Sequence, residues 1–125
     1  MLILDAGAFL AAERGDREVI ARVKRELRAG QIPLTNGGVV AQVWRGGPGK
    51  QSPVAKLLAS VEIAPIDGAL GRRAGLLLRR SGGSDAIDAS LVCLTRDGDD
   101  ILTSDPGDLR ELARTFGAHV ELIRV

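Results

Sequence analysis

An α/β fold is predicted, a three-layer sandwich in which a mostly parallel central sheet of four to five strands carries helices on both faces. Three observations predict it. Short apolar runs alternate along the chain with longer stretches of helical period, as in a sheet built from strand–helix–strand units. Carboxylates follow several of those runs, where parallel strands would end. The 125 residues are 45% hydrophobic but only 2% aromatic, enough for one core of Leu, Val, Ile and Ala, so the whole chain, 1–125, is read as one domain.

The elements follow in order. Leu2-Ile3-Leu4 is a short apolar run closed by Asp5, a buried strand with an acid at its carboxyl end. After Gly7, Ala8 to Glu13 suits a short helix. Asp16 can cap a longer one reaching Arg28, with Val19, Ile20, Val23 and Leu27 as its apolar stripe and Ala29-Gly30 as its end. Gln31 to Thr35 reads as a second strand, placed by Pro33 at an edge or a strand end and broken by Asn36-Gly37-Gly38. Val39 to Arg45 is a short helix stopped by Gly46-Gly47-Pro48-Gly49. Ser52-Pro53 provides an N-cap and first turn for a helix through Ala59.

Val61 to Ile66 is the third strand, and Asp67 caps a helix with Leu70, Ala74, Leu77 and Leu78 inward and four arginines outward. Ser81-Gly82-Gly83 ends that helix, and Ser84 is placed to cap the next, which holds Asp85, Ile87, Asp88, Leu91 and Leu94. Asp100 to Thr103 is the fourth strand, Asp105-Pro106 starts the last helix, and Val120 to Val125 is a terminal strand.

Composition excludes several classes. The lone cysteine, Cys93, cannot form an internal disulfide and reads as a small core residue, and no Cys/His spacing suits zinc. No basic leader or long apolar segment follows Met1, so a cytoplasmic protein without a membrane span is expected. Seventeen basic against sixteen acidic residues leave a net charge of +1, so no global field advertises nucleic acid.

Chemistry is concentrated in the acids. Asp85 and Asp88 stand three apart on one helix and so share a face, while Asp5 and Asp105 both follow strands. Two such charges about 4 Å apart repel by roughly 4 kcal/mol at an effective dielectric near 20, so a cleft of several carboxylates calls for a cation. Oxygen ligands without nearby His or Cys suit Mg²⁺ or Mn²⁺, and the chemistry that follows is phosphodiester hydrolysis. The same residue types also cap helices, which is the whole role assigned to Asp16 and Asp67 and an alternative for Asp105, while the alternative for Asp85 is a first-turn acid favoured by the helix dipole.

The order LILDAGAFL, VVAQVWRGG, DAIDASLVCL and ILTSDPGDL resembles the PIN-domain ribonucleases, especially the small VapC-type toxins of bacterial toxin–antitoxin pairs, over essentially the whole chain. The resemblance implies a PIN-like fold and a Mg²⁺- or Mn²⁺-dependent endoribonuclease. It makes Asp5, Asp88 and Asp105 the catalytic, metal-holding acids, with Thr103 and Ser104 orienting water or ligand. One position departs from the family. Gln42 stands where a glutamate is usual, so Asp85 is expected to supply the missing charge and Asp108 to add an acid behind the ligands.

An RNA substrate would then be held by basic residues on the rim, with Arg45, Lys50, Arg72, Arg73, Arg79 and Arg80 as candidates. The resemblance further implies a homodimer and a cognate antitoxin lying in the cleft or across the first helices. The alanine-rich Ala6 to Ala12 segment would suit a partner helix or the core equally. A second reading makes the chain a binding module that has lost catalysis, with Gln42 as its mark. A phosphoacceptor domain fits worse, because Asp5 stands alone after its strand and the late strands contain no lysine.

Overall fold

The computed structural model describes residues 1–47 and 49–125, so Pro48 in the glycine-rich loop lies outside it. Five strands form one sheet: β1 (Leu2–Leu4), β2 (Leu34–Asn36), β3 (Glu62–Ala64), β4 (Asp100–Thr103) and β5 (Glu121–Arg124). Seven helices connect them: α1 (Ala6–Glu13), α2 (Arg17–Arg28), α3 (Gly37–Val43), α4 (Ser52–Ala59), α5 (Gly68–Ser81), α6 (Ala86–Cys93) and α7 (Pro106–Phe116). Every strand pair is parallel and the order is β3-β2-β1-β4-β5. The predicted class is therefore met, with the sheet parallel throughout.

That order has a functional consequence. From β1 the chain moves outward through β2 to β3, then returns past β1 to add β4 and β5. Right-handed crossovers then place α1 to α4 on one face and α5 to α7 on the other, which agrees with the way α1 packs on α2, α3 and α4, and α6 packs on α5 and α7. The direction reverses between β1 and β4, and at such a switch point the connecting loops part and leave a crevice at the strands' carboxyl ends. Asp5 follows β1 and Asp105 follows β4, so both border it.

The central strands are buried. Ile3 of β1 is level with Leu34 of β2 and Ile101 of β4, and Phe9, Leu77, Leu91 and Leu109 close over the two faces. Of the alanine-rich segment, Ala8, Phe9, Ala11 and Ala12 are buried and only Leu10 is exposed, so it is core, not a partner surface. Cys93 is a buried residue of α6, as predicted. No helix among the described residues is long and apolar enough to cross a membrane.

Several boundaries move. Gly7 does not break the chain but lies inside the first turn of α1, which Asp5 caps. Gly37-Gly38 opens α3, because the Asn36 side chain accepts the Val39 N–H at 2.9 Å and converts the strand end into a helix start. Ser52 is the first residue of α4, not its cap; Gln51 stands at the cap and spends its side chain instead on the Arg45 N–H, at 2.8 Å. Ser84 likewise yields to Asp85, whose Oδ1 accepts both the Ile87 and Asp88 N–H groups at 3.0 Å. An ionised acceptor holds two such donors better than a hydroxyl does.

Candidate active site

Asp5 is held most firmly. It is 8% exposed, its Oδ1 accepts the Ala8 N–H at 3.1 Å, and the Gly7 N–H and the Thr103 side chain also bond to it. The Thr103 hydroxyl in turn accepts the Asp105 N–H at 3.0 Å, so one buried side chain of β4 links both acids flanking the crevice. Burial raises the Asp5 pKa, partly offset by those donors and reinforced by the charge of Asp105.

Close packing sets the same spacing. A Cβ built on Gly7 would fall 2.6 Å from the backbone nitrogen of Ser104, so the first turn of α1 can lie against the β4–α7 loop only without a side chain there. Ser104 itself is exposed beside that contact. Asp105 stands at the N-cap of α7 but its side chain makes no capping bond, which leaves the carboxylate free and removes the capping explanation for it.

Asp88 occupies the first turn of α6, and its carboxylate accepts no hydrogen bond among the described residues. Its pKa is pushed up to about 7, first by burial and then by the charges of Asp85, Asp5, Asp108 and Asp105. The helix N-terminus alone would have acted in the opposite direction. Four acids, from the carboxyl ends of β1 and β4 and the starts of α6 and α7, therefore act on Asp88, and with it they include every acid that the sequence proposed for the site. A cavity of about 300 Å³ adjoins them, with Ser81, Gly83, Asp85, Asp88 and Asp108 in its wall.

All five donors are carboxylates, the kind of group that hard divalent cations bind, and their mutual repulsion fits a site that gains from one. As placed, however, no group of three or more His, Cys, Asp or Glu side chains among the described residues could hold a metal ion. The donor set fits in kind, and the acids would have to draw inward around an ion.

Gln42 is exposed near the end of α3, about 9 Å along the helix from Asn36, and its side chain forms no hydrogen bond among the described residues. Arg45 donates its Nη1 to Ala41 and Trp44 carbonyl oxygens at 3.0 and 2.8 Å. With the exposed Lys50 it sits beside α3 and α4, in the opposite helical layer from Arg72, Arg73, Arg79 and Arg80 on α5. The six basic candidates thus fall into two groups, one in each helical layer.

Sequence reasoning passed over three residues that shape the site. Gly7 is one. Thr35 donates to the Leu4 carbonyl at 2.8 Å and fixes β2 against the residue before Asp5, while Asn36 reaches the Ile87 carbonyl at 3.5 Å beside Asp88. Their signal was a polar Thr-Asn pair at the end of an interior strand.

With its all-parallel five-stranded sheet, this α/β chain shares the architecture of a VapC-type PIN fold. Among solved structures, a chain of VapBC2 from Rickettsia felis, in a crystal structure with a DNA fragment from their promoter, superposes with a TM-score of 0.71 over 97% of both chains at 12% identity. No family model matches this sequence, and no curated protein does.

Proposed function

We propose that this chain is a Mg²⁺- or Mn²⁺-dependent endoribonuclease that acts as the toxin of a toxin–antitoxin pair in the cytoplasm. The observation that carries the reading is the convergence on Asp88 of four other acids at the switch point of a PIN-like fold. Asp5, Asp88 and Asp105 would hold the cation, with Asp85 as a further ligand and Asp108 behind them. When bound, the cation neutralises charge on the phosphate and lowers the pKa of a coordinated water. Thr103 keeps Asp5 and Asp105 in register, and Ser104 lies exposed at the mouth to orient water or phosphate.

A partner is supported by the VapBC2 likeness and by a separate surface. Between α2 and α4 lies an apolar groove of about 570 Å³, lined by Ile20, Val23, Leu27 and Leu57 with Lys24 and Lys56 at its edge. It is larger than the cavity at the acids and lacks catalytic groups, which suits an apolar antitoxin segment with flanking acids. The exposed Trp44, Ile63 and Ile66 offer apolar surface for a homodimer contact.

The test is cleavage of labelled RNA by purified protein with Mg²⁺, Mn²⁺ or EDTA. Cleavage should require the metal and fall at least about a hundredfold in Asp5→Asn, Asp88→Asn and Asp105→Asn. The placement of the acids without a ready three-ligand group, together with Gln42, favours one rival, a nucleic-acid- or partner-binding module. RNA bound but left intact with either metal would establish that rival.

A further inference from the structure

Helix α5 carries Arg72, Arg73, Arg79 and Arg80 and no acidic residue from Gly68 to Ser81. On α2 and α7 some surface arginines find acids on their own helix. Arg22 pairs with Glu18 on α2 at 3.3 Å, and Arg114 pairs with Glu111 on α7 at 3.3 Å. None of the four on α5 forms an ion pair among the described residues.

In their midst stands Leu76, 61% exposed, one helical turn from Arg72, Arg73, Arg79 and Arg80. Beside it is a concavity of about 460 Å³ with Leu76, Cys93 and Phe116 as its apolar wall and Arg73, Arg79 and Arg80 as its charged edge. Arg73 is fixed there by donating to the Cys93 carbonyl at 2.6 Å.

We infer that this face of α5 is a binding track for single-stranded RNA, separate from the acids, in which the arginines take phosphates and the Leu76–Phe116 wall covers a base. The inference rests on the ribonuclease reading and names how its substrate is held. Guanidinium groups pair with phosphate oxygens two at a time, and a base presents an apolar face to a wall of this kind. From Arg72 to Arg80 the helix rises about 12 Å, long enough to follow more than one phosphate. The helix then ends at Ser81–Gly83, which border the cavity holding Asp85 and Asp88, so a strand on α5 is led toward the acids. A second copy docked symmetrically would set four unpaired arginines against four more, so a polyanion fits the charge better.

The test uses full-length Asp88→Asn protein, a labelled 12-nucleotide RNA of mixed sequence, and fluorescence anisotropy over a KCl series in EDTA. Arg79→Gln/Arg80→Gln should weaken binding about tenfold or more at low salt and reduce the slope of log K against log[KCl] by about 1.4, the value for two phosphate contacts on a single strand. Leu76→Ser should weaken binding about fivefold with the slope unchanged. All three side chains are exposed, so the fold should survive, which thermal melts would check.

Should wild type cleave RNA while the arginine variant keeps affinity and slope, the α5 track is wrong and the ribonuclease reading stands. Absence of both binding and cleavage in wild type would overturn both. If the substitutions instead convert a dimer to a monomer in sedimentation, with RNA affinity unchanged per subunit, α5 is a subunit contact and the inference fails.

Discussion

Asp88→Asn is expected to make the metal-free fold more stable at alkaline pH while abolishing cleavage. The Asp88 carboxylate accepts no hydrogen bond that an amide would forfeit, so the substitution removes chiefly a charge held among four others. Its pKa rises from 3.8 to about 7 on folding, and the sign follows from proton counting. Below about pH 4 the group is protonated in the folded and unfolded chain alike. Between about 4 and 7 the unfolded chain releases the proton and the folded one keeps it, so unfolding becomes progressively easier; above about 7 the full penalty is present.

At about 1.4 kcal/mol per pH unit the penalty reaches roughly 4 kcal/mol as an upper limit. The side chain is partly open to solvent, which screens its neighbours, and about 2 kcal/mol is the better expectation. Urea unfolding in EDTA from pH 4 to 8 measures it. Asp88→Asn should raise the urea midpoint at pH 8 by about 1 M and flatten the decline that wild type shows between pH 4 and 7. High salt should narrow the difference. Identical pH dependence in the two proteins would refute the claim that burial and the neighbouring acids raise the Asp88 pKa.

Substitutions at three further positions separate the roles of neighbouring residues. Gly7→Ala, whose Cβ would meet Ser104, should cost about 1–3 kcal/mol in urea unfolding and reduce cleavage beyond that loss, because the displaced loop carries Asp105; full activity would show that the loop yields harmlessly. Asp85→Ala should destabilise by about 1 kcal/mol through the lost cap of α6, whereas Asp85→Ser should keep the cap; a fall in Mg²⁺ affinity in the Ser variant, read by calorimetry, would identify Asp85 as a ligand. Gln42→Glu should tighten Mg²⁺ binding about tenfold if its side chain can reach the acids, and unchanged affinity would place position 42 outside the site.

The parts legible in sequence were those set by local pattern. Asp100–Thr103 and Leu2–Leu4 are strands where their apolar runs predicted them, and Asp16 and Asp67 cap α2 and α5 by accepting the Glu18 and Leu70 N–H groups. Competition between equally good caps was not legible. Ser84 and Asp85 both suit the start of α6, and Asp85 takes the cap because its carboxylate accepts two N–H groups at once. Contacts between distant segments were also hidden. Nothing local shows that Gly7 lies against Ser104, that Thr35 bonds to Leu4, or that Arg45 and Lys50 belong to the opposite helical layer from α5, because sheet order and crossover hand decide all three.

A net charge of +1 conceals a strong separation of charge. Five acids gather at the switch point, while α5 carries four arginines with no acid among them. A phosphate about 4 Å from one ionised carboxylate is repelled by roughly 4 kcal/mol at an effective dielectric near 20, and a strand entering the cleft meets several. Binding at α5 and entry to the acids are therefore distinct events, only the second of which depends on a cation. Chelation should abolish cleavage yet leave the salt-sensitive binding on α5 in place, and Arg79→Gln/Arg80→Gln should raise KM more than it lowers kcat. A substitution at Asp5 or Asp105 should do the reverse, because these acids border the crevice proposed for cleavage and lie off the α5 surface proposed to hold the strand first.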